Sequence, residues 1–223
     1  MQPMSARTMD YIDAIEHLPD DAMLVIPGSS WEEYERLLTE LSDRPGLRVT
    51  YDGGRLEIMS PSPEHDEYAR FIDALVRVFV EEIGLVLQAY GSATWKRRSI
   101  ARGTEPDGCF YVANAHRVIG KRIIDLESDP PPDIAVEIDV TNESLTKFPV
   151  YAALGVPEIW RYDRKAVHFY ELAGDGYRVV EQSRFLPRLT PMLLAEALEQ
   201  SKTAGQTAAL TAFRHRVRRM NGA

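Results

Sequence analysis

Cysteine is nearly absent from this sequence, since Cys109 is the single cysteine among 223 residues. One cysteine cannot form an internal disulfide, and it cannot build a zinc site from several thiolates. A chain without disulfides is typical of a reducing compartment, which favours an intracellular protein over a secreted one.

Long apolar runs are missing as well. No segment approaches the roughly 20 consecutive apolar residues that a membrane span requires. Residues 1–18 also lack the charged and then apolar pattern of a signal peptide. We therefore expect a cytoplasmic protein that has no membrane partner.

Positive charge is scarce, because 26 lysines and arginines face 34 aspartates and glutamates, for a formal net charge of −8. This balance argues against a protein that coats nucleic acid through its bulk charge, although a local basic patch is compatible with it. Such an excess of carboxylates is also compatible with a metal site.

The local patterns predict an α/β (α+β) fold, with helices packed on a mixed, partly antiparallel sheet. At 223 residues, 44% of them hydrophobic, the chain is expected to form one domain at residues 25–190 with an N-terminal extension at 1–24 and a helical tail at 191–223. The predicted elements are a helix opened by a capping box at residues 30–33, a hairpin at 47–59, a long amphipathic helix at 64–84, short strands from 85 to 180, and an exposed, partly helical segment at 201–223.

The segment 130–155 carries charge inside an apolar strand. Ile134, Ala135 and Val136 lead directly into Glu137 and, two residues later, Asp139. Side chains two residues apart share one face of a strand, with Cα atoms roughly 7 Å apart, so the Glu137 and Asp139 carboxylates are predicted to converge on one cation. Asp133 lies on the same face but roughly 13 Å from Glu137, too far to share that ion.

A helix is predicted after this strand. Pro149 is tolerated only in a first helical turn, which makes Thr146 the expected N-cap, Lys147 the first helical residue and Gly155 the C-terminal stop. Together with Asp107, which follows Pro106 at the start of another strand, these residues give three carboxylates and one ammonium. Carboxylates without thiols favour Mg²⁺ or Mn²⁺, and a cation beside Lys147 suits hydrolysis of a phosphodiester.

Several blocks of the sequence resemble the Uma-type restriction endonuclease family of the PD-(D/E)XK nuclease superfamily. The matching blocks are GRLEIMSPSPEH at 54–65, Pro106-Asp107, PPDIAVEI at 131–138, Lys147 with Tyr151, and GVPEIWRYD at 155–163. The resemblance covers roughly residues 25–190. It implies a restriction endonuclease-like fold and a metal-dependent endonuclease that cleaves DNA.

Carried over by position, the resemblance assigns metal-binding and catalytic roles. Asp107 matches the aspartate of the PD element and Glu137 the acidic residue of (D/E)XK. The superfamily lysine would stand at position 139, where this chain has Asp139, and Lys147 is the expected replacement. Asp139 is then either an additional ligand or the mark of an altered site.

Four residues have a simpler interpretation beside the functional one. His65 matches a family position near the metal or a phosphate, but could also be a solvated residue at a helix start. Glu57 is an accessory candidate or a surface residue, and Asp107 and Lys147 taken alone are ordinary in a turn and on a solvated helix. Tyr151 accompanies Lys147 as an accessory residue.

Two rivals to the nuclease remain open at this point. One is a binding or assembly protein that kept the fold and lost the chemistry, and the other is a metal-dependent hydrolase of a small phosphorylated substrate. Residues 95–98 (WKRR) with Arg102 could contact a nucleic-acid backbone or could form a polar edge strand. Cutting both strands of a duplex would favour a homodimer.

Overall fold

Two β-sheets organise the chain in the computed structural model, which describes residues 11–12, 14–15, 17–42, 46–140 and 144–222. The strands are β1 (Met23–Pro27), β2 (Arg48–Asp52), β3 (Arg55–Met59), β4 (Gln88–Ala89), β5 (Trp95–Arg97), β6 (Arg102–Thr104), β7 (Gly108–Tyr111), β8 (Ile134–Ile138), β9 (Glu158–Tyr162), β10 (Val167–Ala173) and β11 (Gly176–Val180). The helices are α1 (Trp31–Glu40), α2 (Pro63–Ile83), α3 (Ala115–Val118), α4 (Phe148–Leu154), α5 (Pro191–Ala204) and α6 (Gln206–Asn221).

The six-stranded sheet, in the order β11-β10-β9-β8-β7-β4, is the mixed sheet that the sequence predicts. Its β8 and β9 are parallel, and its other neighbouring strands are antiparallel. A separate five-stranded sheet, in the order β1-β3-β2-β6-β5, is antiparallel. The α/β fold class is therefore confirmed, and the predicted hairpin is part of the second sheet.

The elements of the first half begin where local chemistry places them. The Ser30 hydroxyl accepts a hydrogen bond from the Glu33 N–H at 3.1 Å, and the Glu33 carboxylate accepts one from the Ser30 N–H at 2.7 Å. This reciprocal capping box opens α1 as predicted. In the β2–β3 hairpin the turn glycines Gly53 and Gly54 have positive φ angles of 51° and 114°, a conformation that glycine adopts without strain.

Helix α2 is the central core helix, as the sequence predicts. Ser62 caps its start, Pro63 occupies the first turn, and Gly84 ends it in the left-handed conformation at φ 72°. Its apolar face packs against the six-stranded sheet and against α5 and α6. The first turn of α2 thereby lies beside the sheet, which places His65 near the strand ends described below.

The C-terminal segment is helical as predicted, but the expectation that it is exposed is wrong. Ala209, Phe213 and Val217 lie on one face of α6 at a spacing of four residues, and all three are buried in the same core as α2. Arg214 and Arg218 both form ion pairs with Glu82 of α2. The arginine-rich segment is therefore packed on the domain, because its apolar face contacts α2 and its arginines form ion pairs with α2.

Residues 1–10, 13 and 16 of the proposed N-terminal extension lie outside the described part of the chain. Within the described part, Ile15 is buried with α1 and the five-stranded sheet. None of the described helices is long and apolar enough to cross a membrane.

Candidate active site at the ends of β7 and β8

Strand β8 places Glu137 between the six-stranded sheet and α4. Ile134, Val136 and Ile138 pack on the α2 side of the sheet, whereas Ala135 packs with α4. By alternation Glu137 faces the α4 side, and it is 1% exposed. A carboxylate at such depth is costly unless it is paired and hydrogen-bonded.

Two residues at the start of α4 satisfy the Glu137 carboxylate. Lys147 Nζ lies 2.8 Å from Glu137 Oε2, and the Tyr151 hydroxyl donates a hydrogen bond to Glu137 Oε1. Both partners are buried. The structure thus brings Lys147 and Tyr151 to Glu137, and the interpretation of Lys147 as a solvated helix residue is wrong.

The local structure around Lys147 differs slightly from the prediction. A 3-10 turn spans Ser144–Lys147, and Lys147 rather than Thr146 is the N-cap of α4. Pro149 lies in the first helical turn and Gly155 ends the helix at φ 80°, both as expected. The 3-10 turn delays the α-helix by one residue.

The pKa values of Glu137 and Lys147 are both shifted. Burial and the Asp107 carboxylate raise the pKa of Glu137, whereas Lys147 and the Tyr151 hydroxyl lower it, and the net result is a pKa of about 7. Burial alone lowers the pKa of Lys147, but the neighbouring Glu137 and Asp107 carboxylates outweigh it and raise that pKa above its ordinary value. The charged form is thus favoured for Lys147 and disfavoured for Glu137. Lys147 faces two carboxylates, whereas Glu137 faces one ammonium and a second carboxylate. A further positive charge near Glu137 would stabilise its ionised form, which burial disfavours.

Asp107 approaches this cluster from the start of β7. Its Oδ2 accepts a hydrogen bond from the Ile138 N–H at 2.8 Å, which ties it to the residue after Glu137. Its Oδ1 accepts one from Arg48 Nε at 3.3 Å. The side chain is buried and joined to the end of β8, so Asp107 is more than a turn residue.

His65 lies against Asp107, with 3.2 Å between His65 Nε2 and Asp107 Oδ2. The residue is 2% exposed, which rules out the solvated helix start. Neither ring nitrogen has a hydrogen-bond partner with acceptable geometry in the part of the chain that the structure describes. Buried polar atoms without partners are rare, and Nε2 lies beside the Asp107 carboxylate, so His65 and Asp107 are candidates for binding a ligand.

Asp139 has a different environment from Glu137. Its carboxylate pairs with Arg161 of β9 and accepts hydrogen bonds from the Ser144 N–H at 3.0 and 3.1 Å. Across residues 11–140 and 144–222, as far as they are described, no three acidic, imidazole or thiol side chains are grouped to hold one metal ion. The predicted set of Asp107, Glu137 and Asp139 is thus not assembled.

Glu57 is buried at 6% exposure in the five-stranded sheet, so the surface interpretation is wrong. Its carboxylate accepts a hydrogen bond from Arg55 Nε at 2.7 Å and one from the Thr146 hydroxyl at 3.4 Å. Since Thr146 precedes Lys147, Glu57 contacts the turn that carries the lysine rather than the Glu137 carboxylate.

An open cleft of about 590 Å³ leads to Asp107. Its lining residues come from α2, from the chain around residue 91 and from the β2 and β7 starts; they include Arg48, Asp66, Arg70, Asp73, Arg77 and Asp107. Arg48 is buried and contacts both Asp107 and Asp66. Sequence reasoning missed it, because an arginine at the start of a hairpin strand carries no local signal of such contacts.

The basic residues 95–98 and Arg102 belong to an edge of the five-stranded sheet and the turn that follows it. Lys96 and Arg98 pair with Glu35 of α1, and Arg102 pairs with Asp52. These basic side chains form ion pairs with carboxylates of the same molecule, which supports the interpretation as a polar edge strand.

Comparison with known proteins fits this arrangement. The sequence profile of the Uma2 family, described as "putative restriction endonuclease", matches residues 31–204. The chain belongs to the Uma2 family. Membership supports a nuclease function in general terms, and it agrees with the resemblance found in the sequence.

Among solved structures, the chain is similar to a "putative nuclease belonging to DUF820" from Anabaena variabilis. The two share 17% sequence identity with a TM-score of 0.49, over 66% of this chain and 89% of that one. A comparison with curated proteins finds no match.

Proposed function

We propose that this Uma2 protein is a Mg²⁺- or Mn²⁺-dependent endonuclease that hydrolyses phosphodiester bonds in DNA. The proposal rests on the buried cluster of Asp107, Glu137 and Lys147, of which Asp107 lines an open cleft. Two of these groups are carboxylates, and the third is an ammonium 2.8 Å from one of them. This is the set of groups that metal-assisted phosphodiester hydrolysis requires.

The residues present fit a hard divalent cation. Mg²⁺ is commonly bound through one or two carboxylates, with water and substrate phosphate completing its shell. Asp107 and Glu137 supply those carboxylates, and a cation would stabilise the ionised form of Glu137 that burial and Asp107 disfavour, as its raised pKa indicates. When bound, the cation supplies positive charge to a phosphate and acidifies water.

The remaining residues of the site hold protons and orient the ligands. Lys147 keeps its proton, because two carboxylates raise its pKa, and its ammonium can stabilise charge that develops on a phosphate oxygen. The Tyr151 hydroxyl fixes one oxygen of Glu137. His65, beside Asp107, can donate to or accept from a group that enters the cleft.

For Asp139 we propose that the positive partner is the Arg161 guanidinium and not a metal ion. Because its carboxylate is paired with a guanidinium, we assign Asp139 to holding β8, β9 and the Ser144–Lys147 turn together. A homodimer that presents two such sites to a duplex stays a prediction, as does the cytoplasmic location.

Nicking of supercoiled plasmid by the purified protein tests the proposal. We expect cleavage with Mg²⁺ or Mn²⁺, none with EDTA, and a loss of at least about a hundredfold in the Asp107→Asn variant. Asp133→Asn is the matched control, since Asp133 is equally buried but hydrogen-bonds the backbone of Val112 and Asn114. Cleavage that survives Asp107→Asn, or that is insensitive to EDTA, would contradict the proposal.

A further inference from the structure

One face of α2 forms a wall of the cleft that leads to Asp107. Asp66, Arg70, Asp73 and Arg77 recur on this face at intervals of three or four residues, and all four line the cleft. Opposite charges in such a series normally form ion pairs between neighbouring helical turns. Among the described residues of α2, Arg70 forms no such pair.

Three carboxylates lie three or four residues from Arg70 along the helix, and each has another partner. Glu67 accepts a hydrogen bond from the Gln206 side chain at 3.2 Å. Asp66 contacts Arg48 Nη2 at 3.3 Å. Asp73 binds Arg77 through two hydrogen bonds, of 2.6 and 3.3 Å. Arg70 itself is exposed, and it has no ion pair or hydrogen bond with any residue that the structure describes. Its guanidinium is therefore available to bind an anionic group of a ligand.

The position of Arg70 relative to the site suits a chain of phosphates. Arg70 follows His65 by five residues, which is roughly 7.5 Å along a helix axis at 1.5 Å per residue. One strand of a duplex carries a phosphate about every 3.4 Å along its axis. Five residues also turn the helix by about 140°, so that His65 faces the core while Arg70 lines the cleft together with Asp107. A strand that presents one phosphate at Asp107 would therefore present another, further along, to Arg70.

The other lining residues favour contact with the backbone over contact with bases. No aromatic residue is among the residues described as lining this cleft, so stacking on bases has no platform there. Arg48 and Arg77 are already paired, whereas direct base recognition requires several free polar groups. Arginine is also the residue best suited to meet a phosphate through two donors.

We propose that this cleft binds the sugar-phosphate backbone of the nucleic-acid strand that flanks the cleaved bond, with Arg70 as its phosphate contact. The proposal rests on the nuclease function proposed above and names how that site holds its substrate. Arg70 contributes affinity that does not depend on base sequence, and it takes no part in bond breakage.

Salt-dependent binding to a fluorescein-labelled DNA duplex in EDTA tests this inference without cleavage. For Arg70→Gln we expect weaker binding and a plot of log affinity against log salt whose slope is smaller by about 0.9. Arg219→Gln is the matched control, because Arg219 is an exposed helical arginine on α6 that also has no partner among the described residues. It should leave the slope unchanged.

The outcomes separate this inference from the proposed function. If the unmodified protein binds and cleaves DNA while Arg70→Gln retains its full slope, the phosphate contact is refuted and the nuclease stands. If the unmodified protein does not bind DNA at all, both fail. In cleavage assays Arg70→Gln should raise KM and leave kcat unchanged, since it removes uniform binding. A fall in kcat alone would overturn the assignment by placing Arg70 in the chemistry.

Discussion

Glu137 and Asp139 are two buried carboxylates at the end of one strand, two residues apart, and each pairs with a cation. Glu137 meets Lys147 and Tyr151, with Asp107 close enough to raise its pKa. Asp139 meets Arg161 and the Ser144 backbone. Glu137 is thus beside a second carboxylate that disfavours its ionised form, whereas Asp139 is held by a guanidinium and a backbone N–H.

Strand alternation places both carboxylates, but the partner of each one determines what it can do. Arg161 is the register partner of Glu137 on the parallel strand β9, yet its guanidinium reaches Asp139. Arginine is always charged and is well suited to a permanent pair. We therefore expect substitutions at these two positions to separate chemistry from structure.

The largest expected effect comes from Glu137→Gln, which keeps the shape of the side chain and removes its charge. Metal-dependent cleavage of DNA should fall by at least about a hundredfold, because a ligand of the cation and the counter-ion of Lys147 are lost. The matching substitution Asp139→Asn should stay within about threefold of the unmodified rate after correction for folded protein. Equal losses of cleavage in the two variants would show that both carboxylates take part in the chemistry.

The next effect is on stability as a function of pH without metal. Because burial raises the pKa of Glu137 from 4.5 to about 7, the folded protein binds a proton that the unfolded chain releases. Stability should therefore decrease as pH rises from about 4.5 to about 7, by on the order of 3 kcal/mol, and then level off.

Urea unfolding at several pH values, compared between the unmodified protein and Glu137→Gln, isolates this contribution. The variant should lack the decrease, so the difference between the two curves should have its midpoint near neutral pH. Parallel curves across this range would mean that Glu137 keeps an ordinary pKa.

A smaller effect is expected from Tyr151→Phe, which removes only the hydroxyl that donates to Glu137. Groups that orient a metal ligand typically contribute about 10- to 100-fold to affinity, so Mn²⁺ should bind more weakly by that factor. Tyr111→Phe is the control, since its buried hydroxyl donates to the Pro130 carbonyl at 2.9 Å, away from the cluster. Weakening of Mn²⁺ binding by both variants alike would indicate a general loss of packing.

The smallest effect on the site is expected from Arg161→Met. Its loss leaves Asp139 with hydrogen bonds from Ser144 alone, which should lower stability by about 2 kcal/mol in urea unfolding. Mn²⁺ affinity should change by less than about twofold in the folded variant. A large gain in Mn²⁺ affinity would instead show that Asp139, once released, joins the ligand set.

Much of the local structure could be predicted from the sequence, because short-range chemistry decides it. The capping box at Ser30, the glycine turn of the hairpin and the apolar period of α2 each depend on residues within a few positions. The strand that carries Glu137 and the nearby Lys147 were also predictable, since ten residues separate the two. The exact start of α4 was not, because a 3-10 turn and an α-helical turn differ little in sequence.

The features that could not be predicted depend on residues far apart in the chain. Arg48 meets Asp107 across 59 positions, and Asp139 meets Arg161 across 22. The burial of α6 likewise depends on α2, more than a hundred residues earlier. No local pattern in the sequence records such partners, which is why Asp139 was expected among the metal ligands and the last helix was expected in solvent.

Calorimetric titration of Mn²⁺ into the unmodified protein, Glu137→Gln and Asp139→Asn shows directly which of the two carboxylates binds the metal. We expect one binding event that is lost in Glu137→Gln and preserved in Asp139→Asn, with circular dichroism showing both variants folded. Preserved binding in Glu137→Gln, or lost binding in folded Asp139→Asn, would contradict the assignment of Glu137 as a ligand and Asp139 as a structural residue.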